Sequence, residues 1–395
     1  LGTKLWLERL APKMALRARE GDSHVRVTNT ELFFDLVYVF SIIQLSHFLL
    51  EHQSWVGALQ AATLFAAVWW SWNYTAWATN WVHPNHPAGR VLVFVLMGFA
   101  LAMAVAMPEA FSERAWLFVA AYVCMAVVRA GYMALLFRGE RMGLNYAQLG
   151  LWSIVSGLLW VAGALWAEQR LPLWIAAVLV DYLAPFAGFW VPRLGGTPMS
   201  SWPLSGLHLL ERNQQVFIIA LGESVLLLGG TLVGAQLTGE RVVAAIVGFL
   251  LIISIWWVYF IDATERGEHA FLHTADHTRL ARSGLAFAHG IMVCGAIVTA
   301  VAIETMIAHP EEPAHLPAIL FAVLGPSLFL LGSTMFYLTM AARVPLGYLA
   351  AVAGLFLVGV GVSLTHASGL VLGVGVLVVM SVLAGAIQIQ NRVRS

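Results

Sequence analysis

Residues 31–50 read ELFFDLVYVFSIIQLSHFLL. Twenty residues of α-helix rise about 30 Å, the thickness of a bilayer's hydrocarbon core. Apolar residues dominate the run, and they do not alternate with polar ones as a membrane β-strand would require. The stretch therefore predicts a membrane-crossing helix. Its acids, Glu31 and Asp35, are spaced i,i+4 and share one helix face. Gln44 and His47, a turn apart, lie on roughly the opposite face further along.

Similar runs recur along the whole chain. Of 395 residues, 60% are hydrophobic and 11% charged, against about 25% charged in an ordinary soluble domain. That composition excludes a soluble enzyme and a disordered chain. Acidic and basic residues balance at 21 each, so no nucleic-acid partner is implied. The expected architecture is an all-α integral membrane protein of about twelve transmembrane helices, near 32–50, 56–82, 89–107, 115–137, 147–167, 171–190, 214–236, 242–262, 283–307, 316–339, 344–364 and 368–389. With the N-terminus inside, 17 basic residues fall in inner segments, while Arg114, Arg170 and Arg241 fall outside and Arg129 lies within a span. Positive charge favours the cytoplasmic face, so both termini are expected there. Basic residues Arg9, Lys13 and Arg17 at i,i+4 spacing suit a short helix on the inner leaflet or a frayed tail.

The two halves echo each other. Glu31 opens the first span and Glu211 the seventh; Trp69-Trp70-Ser71-Trp72 in the second answers Trp256-Trp257-Val258-Tyr259 in the eighth. Glu109 and Glu304 close the third and ninth. Two parallel six-helix repeats are expected, giving a basic N-terminal segment (1–30), a first half (31–190), a cytoplasmic linker (191–213) and a second half (214–395).

A charge at the bilayer centre costs about 2.5–3.5 kcal/mol on insertion scales, so ionisable residues in the spans are the candidate substrate- or ion-binding groups. These are Glu31, Asp35, Asp181, Glu211, Arg212, Glu223 and His289, with Arg129 expected as counter-ion to Asp35, Asp181 or Glu223. Gln44, His47, Asn73 and Trp257 are expected as polar or aromatic lining. A hydrogen-bonded structural role for His289 stands beside a proton-carrying one. The tryptophan cluster suits either a lined cavity or plain packing. His83 and His86, and His269, His273 and His277, have spacings a metal could use, but solvated loop histidines fit them better. No nucleotide-binding or hydrolase motif is present, no metal is expected, and no cofactor is required by the sequence.

Two motifs carry a resemblance. Glu31-Leu-Phe-Phe-Asp35-Leu-Val-Tyr-Val-Phe, with Gln44 and His47, resembles the opening signature of the bacterial low-temperature-requirement protein A (LtrA) family. His208-Leu-Leu-Glu211-Arg212, followed by Ile219-Ala-Leu-Gly-Glu223-Ser224, resembles its second signature. Trp81-Val-His83-Pro-Asn-His86 stands where members often have an acidic stretch. The resemblance runs from about residue 28 to 390 and implies a bacterial inner-membrane protein; it supplies no reaction. The functional expectation is a secondary transporter, coupled to protons, for a small organic solute or amphipathic lipid. An integral membrane enzyme on a lipid or isoprenoid substrate, and a lipid-binding structural protein, remain as alternatives. Membrane lipids are the expected partners, and a homodimer is compatible with the sequence.

Overall fold

The apolar runs fold as helices, the form in which a chain satisfies its backbone polar groups without water. The computed structural model describes residues 11–16, 26–198, 202–274 and 276–394. Its main helices are α1 (Asn29–Glu51), α2 (Trp55–Trp81), α3 (Pro87–Ala106), α4 (Ala115–Leu136), α5 (Arg141–Leu165), α6 (Arg170–Leu183), α7 (Gly206–Val233), α8 (Gly239–Val258), α9 (Thr264–Leu272), α10 (His277–Leu280), α11 (His289–Ala308), α12 (Leu316–Ala341), α13 (Leu346–Thr365) and α14 (Gly369–Arg394). Two π-helical segments, Tyr259–Ala263 and Ala281–Ala288, follow α8 and precede α11.

Among the described residues, ten helical stretches are long and apolar enough to cross a membrane. The expected second and sixth spans are not among them, for different reasons. Helix α2 has 27 residues, ample length, but its six tryptophans and two asparagines lower its hydropathy. It tolerates them because it is interior: from Ala67 to Trp81 every residue except Tyr74 is buried. Helix α6 has only 14 residues, a rise of about 21 Å. Pro185 follows it, and helices usually end before proline. The chain then turns sharply, with positive φ at Gly188, Phe189, Arg193 and Gly195.

The chain divides into two compact units: Leu1–Phe48, Trp55–Arg212 and Asp276–Arg279 form one, and Leu49–Ser54, Asn213–Ala275 and Leu280–Ser395 the other. In the first, α3 packs on α4, α4 on α5, α5 on α6, and α2 on α4 and α6. Its aromatic centre is Phe118, Trp160 and Trp174, all inaccessible to solvent. Gly163 makes room for it, since a Cβ there would meet the Trp174 ring at 2.5 Å. Arg170 donates from Nη1 to the Phe111 carbonyl (2.6 Å) and from Nε to that of Gly163 (3.1 Å). Residues 11–16 dock on the same unit: Ala15 accepts from His83 N at 2.7 Å, and Lys13 pairs with Glu140 at 2.7 Å. Of the basic N-terminal residues, Arg9 and Arg17 lie outside the described residues.

In the second unit, α11 and α12 share the most extensive packing. A Cβ on Gly295 would meet the Gly325 carbonyl oxygen at 2.7 Å, and one on Gly325 the Thr299 backbone nitrogen at 2.6 Å. Small residues at such a seam let helix backbones approach closely.

Candidate functional site

Helix α1 begins with a capping box. Thr28 N and Oγ1 both donate to Glu31 Oε2 at 2.9 Å, and Glu31 N returns a bond to Thr28 Oγ1 at 3.4 Å. This reciprocal arrangement satisfies donors that a helix start leaves open. It also orients Glu31 so that its other oxygen, Oε1, faces inward, one turn before Asp35. Helix α7 opens in the same unit with its own one-turn pair, His208 and Arg212. The two pairs interlock.

Arg212 grips Asp35 with two parallel bonds, Nε to Oδ2 at 3.0 Å and Nη2 to Oδ1 at 2.5 Å. Its third nitrogen, Nη1, reaches Thr79 Oγ1 at 2.9 Å and Glu31 Oε1 at 3.4 Å. Trp72 Nε1 donates to Asp35 Oδ1 at 2.8 Å. The guanidinium also lies 5.8 Å from the Trp72 ring and 6.0 Å from the Phe34 ring. His208 Nε2 stands 3.1 Å from Glu31 Oε1. Glu31, Asp35, His208 and Arg212 are all fully buried. Bidentate, charge-assisted pairing of this kind is among the strongest hydrogen bonding a protein makes.

The tautomer of His208 follows from its neighbour. The Asn80 amide is fixed by Ser205, whose N–H donates to Oδ1 at 2.9 Å while its carbonyl accepts from Nδ2 at 3.0 Å. The remaining Nδ2 hydrogen points to His208 Nδ1, 3.1 Å away. Nδ1 therefore accepts, which leaves the ring hydrogen on Nε2, the nitrogen 3.1 Å from Glu31 Oε1. In that state His208 is neutral. Two carboxyl groups then share one guanidinium within 4 Å.

The other expected residues lie elsewhere. Glu211 accepts from Val27 N at 3.3 Å and is only half-buried. Gln44 is half-buried and His47 exposed; His47 is 12 residues beyond Asp35, about 18 Å along α1. Asn73 is buried in α2. Asp181 accepts from Tyr122 OH at 2.7 Å. Arg129, expected as the counter-ion, forms no ion pair within 4 Å among the described residues; it donates to the Ser71 carbonyl (3.0 Å) and Thr75 Oγ1 (3.1 Å). The counter-ion of Asp35 is Arg212, which the sequence reading had placed in an inner loop. The tryptophans of α2 pack against one another and against Tyr182, with Trp69 on Trp72 and Trp70 on Tyr182 at centroid distances of 5.0 and 4.0 Å.

In the second unit Glu223 is buried. His289 is held from both sides: Nδ1 lies 2.9 Å from the Gly284 carbonyl and so carries the hydrogen, while Nε2 accepts from Tyr259 OH at 2.7 Å. The π-helical segment before His289 brings that carbonyl, five residues back, under the ring. Trp257 is 37% exposed and Trp256 41%, whereas Trp69 and Trp70 are buried at 4% and 3%. The two tryptophan clusters thus face different surroundings. His83 and His86 accept from nearby backbone N–H groups, and His269 and His273 stack at 4.2 Å. Among the described residues no three His, Cys, Asp or Glu side chains converge as a metal site.

Sequence reading alone named Glu31, Asp35 and Arg212, but not His208, Asn80, Thr79 or Trp72 as their partners. One signal was available: His208 and Arg212 repeat the i,i+4 spacing of Glu31 and Asp35.

Both halves of this cluster come from the two sequence signatures. A family model described as "Bacterial low temperature requirement A protein (LtrA)" matches residues 26–384. The chain belongs to the LtrA family. It is a membrane protein with many apolar helices. It is also 34% identical over 330 residues, 82% of this chain and 80% of the other, to "Uncharacterized protein RA0937" of Rhizobium meliloti (strain 1021). No solved structure matches.

Proposed function

We propose that this LtrA-family protein is a proton-coupled secondary transporter for a small organic solute. The observation that carries this reading is the fully buried cluster in which Glu31 and Asp35 share the single guanidinium of Arg212. An uncompensated buried charge is costly, and intramembrane ionisable groups characteristically mark ion and substrate pathways. One proton taken up by the Glu31–His208 pair neutralises the cluster. Releasing it restores a negative site locked to Arg212. Such a two-state group, linking the start of α1 to the start of α7, is what coupling ion movement to helix movement requires. Glu211 and the buried acids Asp181 and Glu223 are further stations for the ion or solute; Asn73, Gln44, His47 and Trp257 are proposed as lining, and His289 as a positioning group.

The protein is proposed to reside in the bacterial inner membrane with both termini cytoplasmic. Twelve crossings in two parallel halves would require α2 and the α6 region to cross with the ten apolar helices. A homodimer and bound membrane lipids are compatible with this reading.

The test is proton flux in proteoliposomes under an imposed pH gradient, with candidate solutes added. Solute-dependent flux should disappear in Glu31→Gln and fall strongly in Glu223→Gln, each checked as folded by size-exclusion profile. Undiminished flux in folded Glu31→Gln would refute the cluster as coupling site.

The membrane-enzyme reading has one observation in its favour. A pocket in the second unit is lined by apolar residues including Leu251, Met306, Leu372 and Val376. At its rim His309 Nδ1 lies 3.0 Å from Glu312 Oε1, an acid–base pair beside an apolar slot. Mass spectrometry of lipids incubated with the protein checks it: a new product lost in His309→Ala would favour an enzyme.

A further inference from the structure

Arg129 is 2% exposed, and its bonding is unlike that of Arg212. It uses a single nitrogen, Nη1, for both its hydrogen bonds, to the Ser71 carbonyl at 3.0 Å and Thr75 Oγ1 at 3.1 Å. Its Nε is buried with no hydrogen-bond partner, and Nη2 donates to nothing among the described residues. The unused Nε–Nη2 edge is the same edge with which Arg212 holds the Asp35 carboxylate. A guanidinium presents two parallel donors there, in the geometry of a carboxylate. Asp181 lies within electrostatic reach of Arg129, but it accepts from Tyr122 OH at 2.7 Å and no ion pair within 4 Å joins it to Arg129.

The surroundings are aromatic. The guanidinium carbon lies 5.2 Å from the Tyr74 ring centroid, and Tyr38, Tyr122 and Tyr146 are close enough to act on it electrostatically. Tyr38 is bonded to Ser71 Oγ at 3.0 Å. These groups come from α1, α2, α4 and α5 of one unit. A buried cation with no direct ion pair is an expensive arrangement, and the protein keeps it among rings that suit an apolar body.

We propose that the Nε–Nη2 edge of Arg129 binds the carboxylate of a small organic acid whose apolar part lies against the surrounding tyrosines. Arg129 is almost wholly buried in the conformation described, so the acid enters when the helices around it part. This assigns a substrate class to the transporter reading and rests on it for its purpose, though not for its chemistry.

The test is ligand-dependent thermal stability of the purified full-length protein in detergent, with benzoate and hexanoate and their neutral amides as probes. Benzoate or hexanoate should raise the unfolding midpoint, and the matching amide should not. Arg129→Gln should weaken acid binding by about 10- to 100-fold, as expected for losing a charge-assisted bond. Arg129→Lys keeps the charge without the fork and supplies a second variant should Arg129→Gln fail to fold; it should bind more weakly than wild type. Equal shifts from acid and amide, no shift from either acid, or unchanged binding in a folded variant would overturn the proposal. Proton flux is measured separately. Acid binding without flux removes the transporter reading and keeps the site. Flux without acid binding removes only this inference.

Discussion

Asp35 holds the key charge of the first unit, because Arg212 has turned its bidentate edge to it. Removing one member of a buried pair costs about 3–5 kcal/mol, since the other is left uncompensated. Asp35→Asn is therefore expected to lower the thermal midpoint sharply, and Arg212→Met at least as much. The double variant Asp35→Asn/Arg212→Met should be more stable than the sum of the two losses implies; strict additivity in a thermal-melt cycle would show that the pair is not coupled. Arg212→Lys should also destabilise, because an ammonium cannot span Oδ1, Oδ2, Thr79 and Glu31 together. At this scale the sequence disclosed which residues matter better than who meets whom. The energetic cost of a charge in lipid marks Asp35 from sequence alone. Its partner could not be read, because Arg212 stands 177 residues away at what looks like a loop boundary, while Arg129 looks like the interior cation.

Helices in this protein are placed by small residues and by caps. Gly295 sits where an added Cβ would press on the backbone of α12, so the two helices would have to part. Gly295→Ala is expected to destabilise by about 1–3 kcal/mol. Gly131, in α4, has open space around its Cβ position, and Gly131→Ala should be neutral or stabilise by up to about 1 kcal/mol. Thermal melts of both variants check the contrast; equal effects would mean that the seam is not tight. Thr28→Val removes the side-chain half of the capping box and should cost about 1 kcal/mol. Helix existence was legible from apolar runs, since length and composition govern it. The end of α6 at Pro185 was not, because the residues after it are apolar enough to continue a span. The interior position of the second half of α2 was hidden too: hydropathy measures fitness for lipid, and residues 67–81 are almost all buried in protein.

For the whole molecule, orientation is the most accessible prediction. Basic residues concentrate in segments assigned to one side. A cytoplasm-active reporter fused after Ser395 is expected to be active, and a periplasm-active one silent; the reverse would invert the topology. Arg212 no longer belongs in that charge bias, since it is buried against Asp35, but the remaining asymmetry points the same way. The proposed repeat would be checked by superposing the two halves in an experimental structure, with Glu31 expected near the equivalent of Glu211. The contrast between buried Trp69–Trp70 and partly exposed Trp256–Trp257 already shows that chemically similar motifs serve different surroundings.

The interlock of α1 with α7 also has a consequence for biogenesis. Glu31 and Arg212 are 181 residues apart, and ribosomes add about 5–20 residues per second. The first helix must therefore wait roughly 10–35 s in or near the translocon before its cation is synthesised. During that interval its two acids lack the guanidinium that pairs with them in the folded unit. A nascent chain that stalls before residue 208 leaves α1 in that state permanently. Such fragments should be short-lived in the cell, cleared by membrane proteases, whereas a chain extended well beyond α7 carries the cation that closes the ion pair.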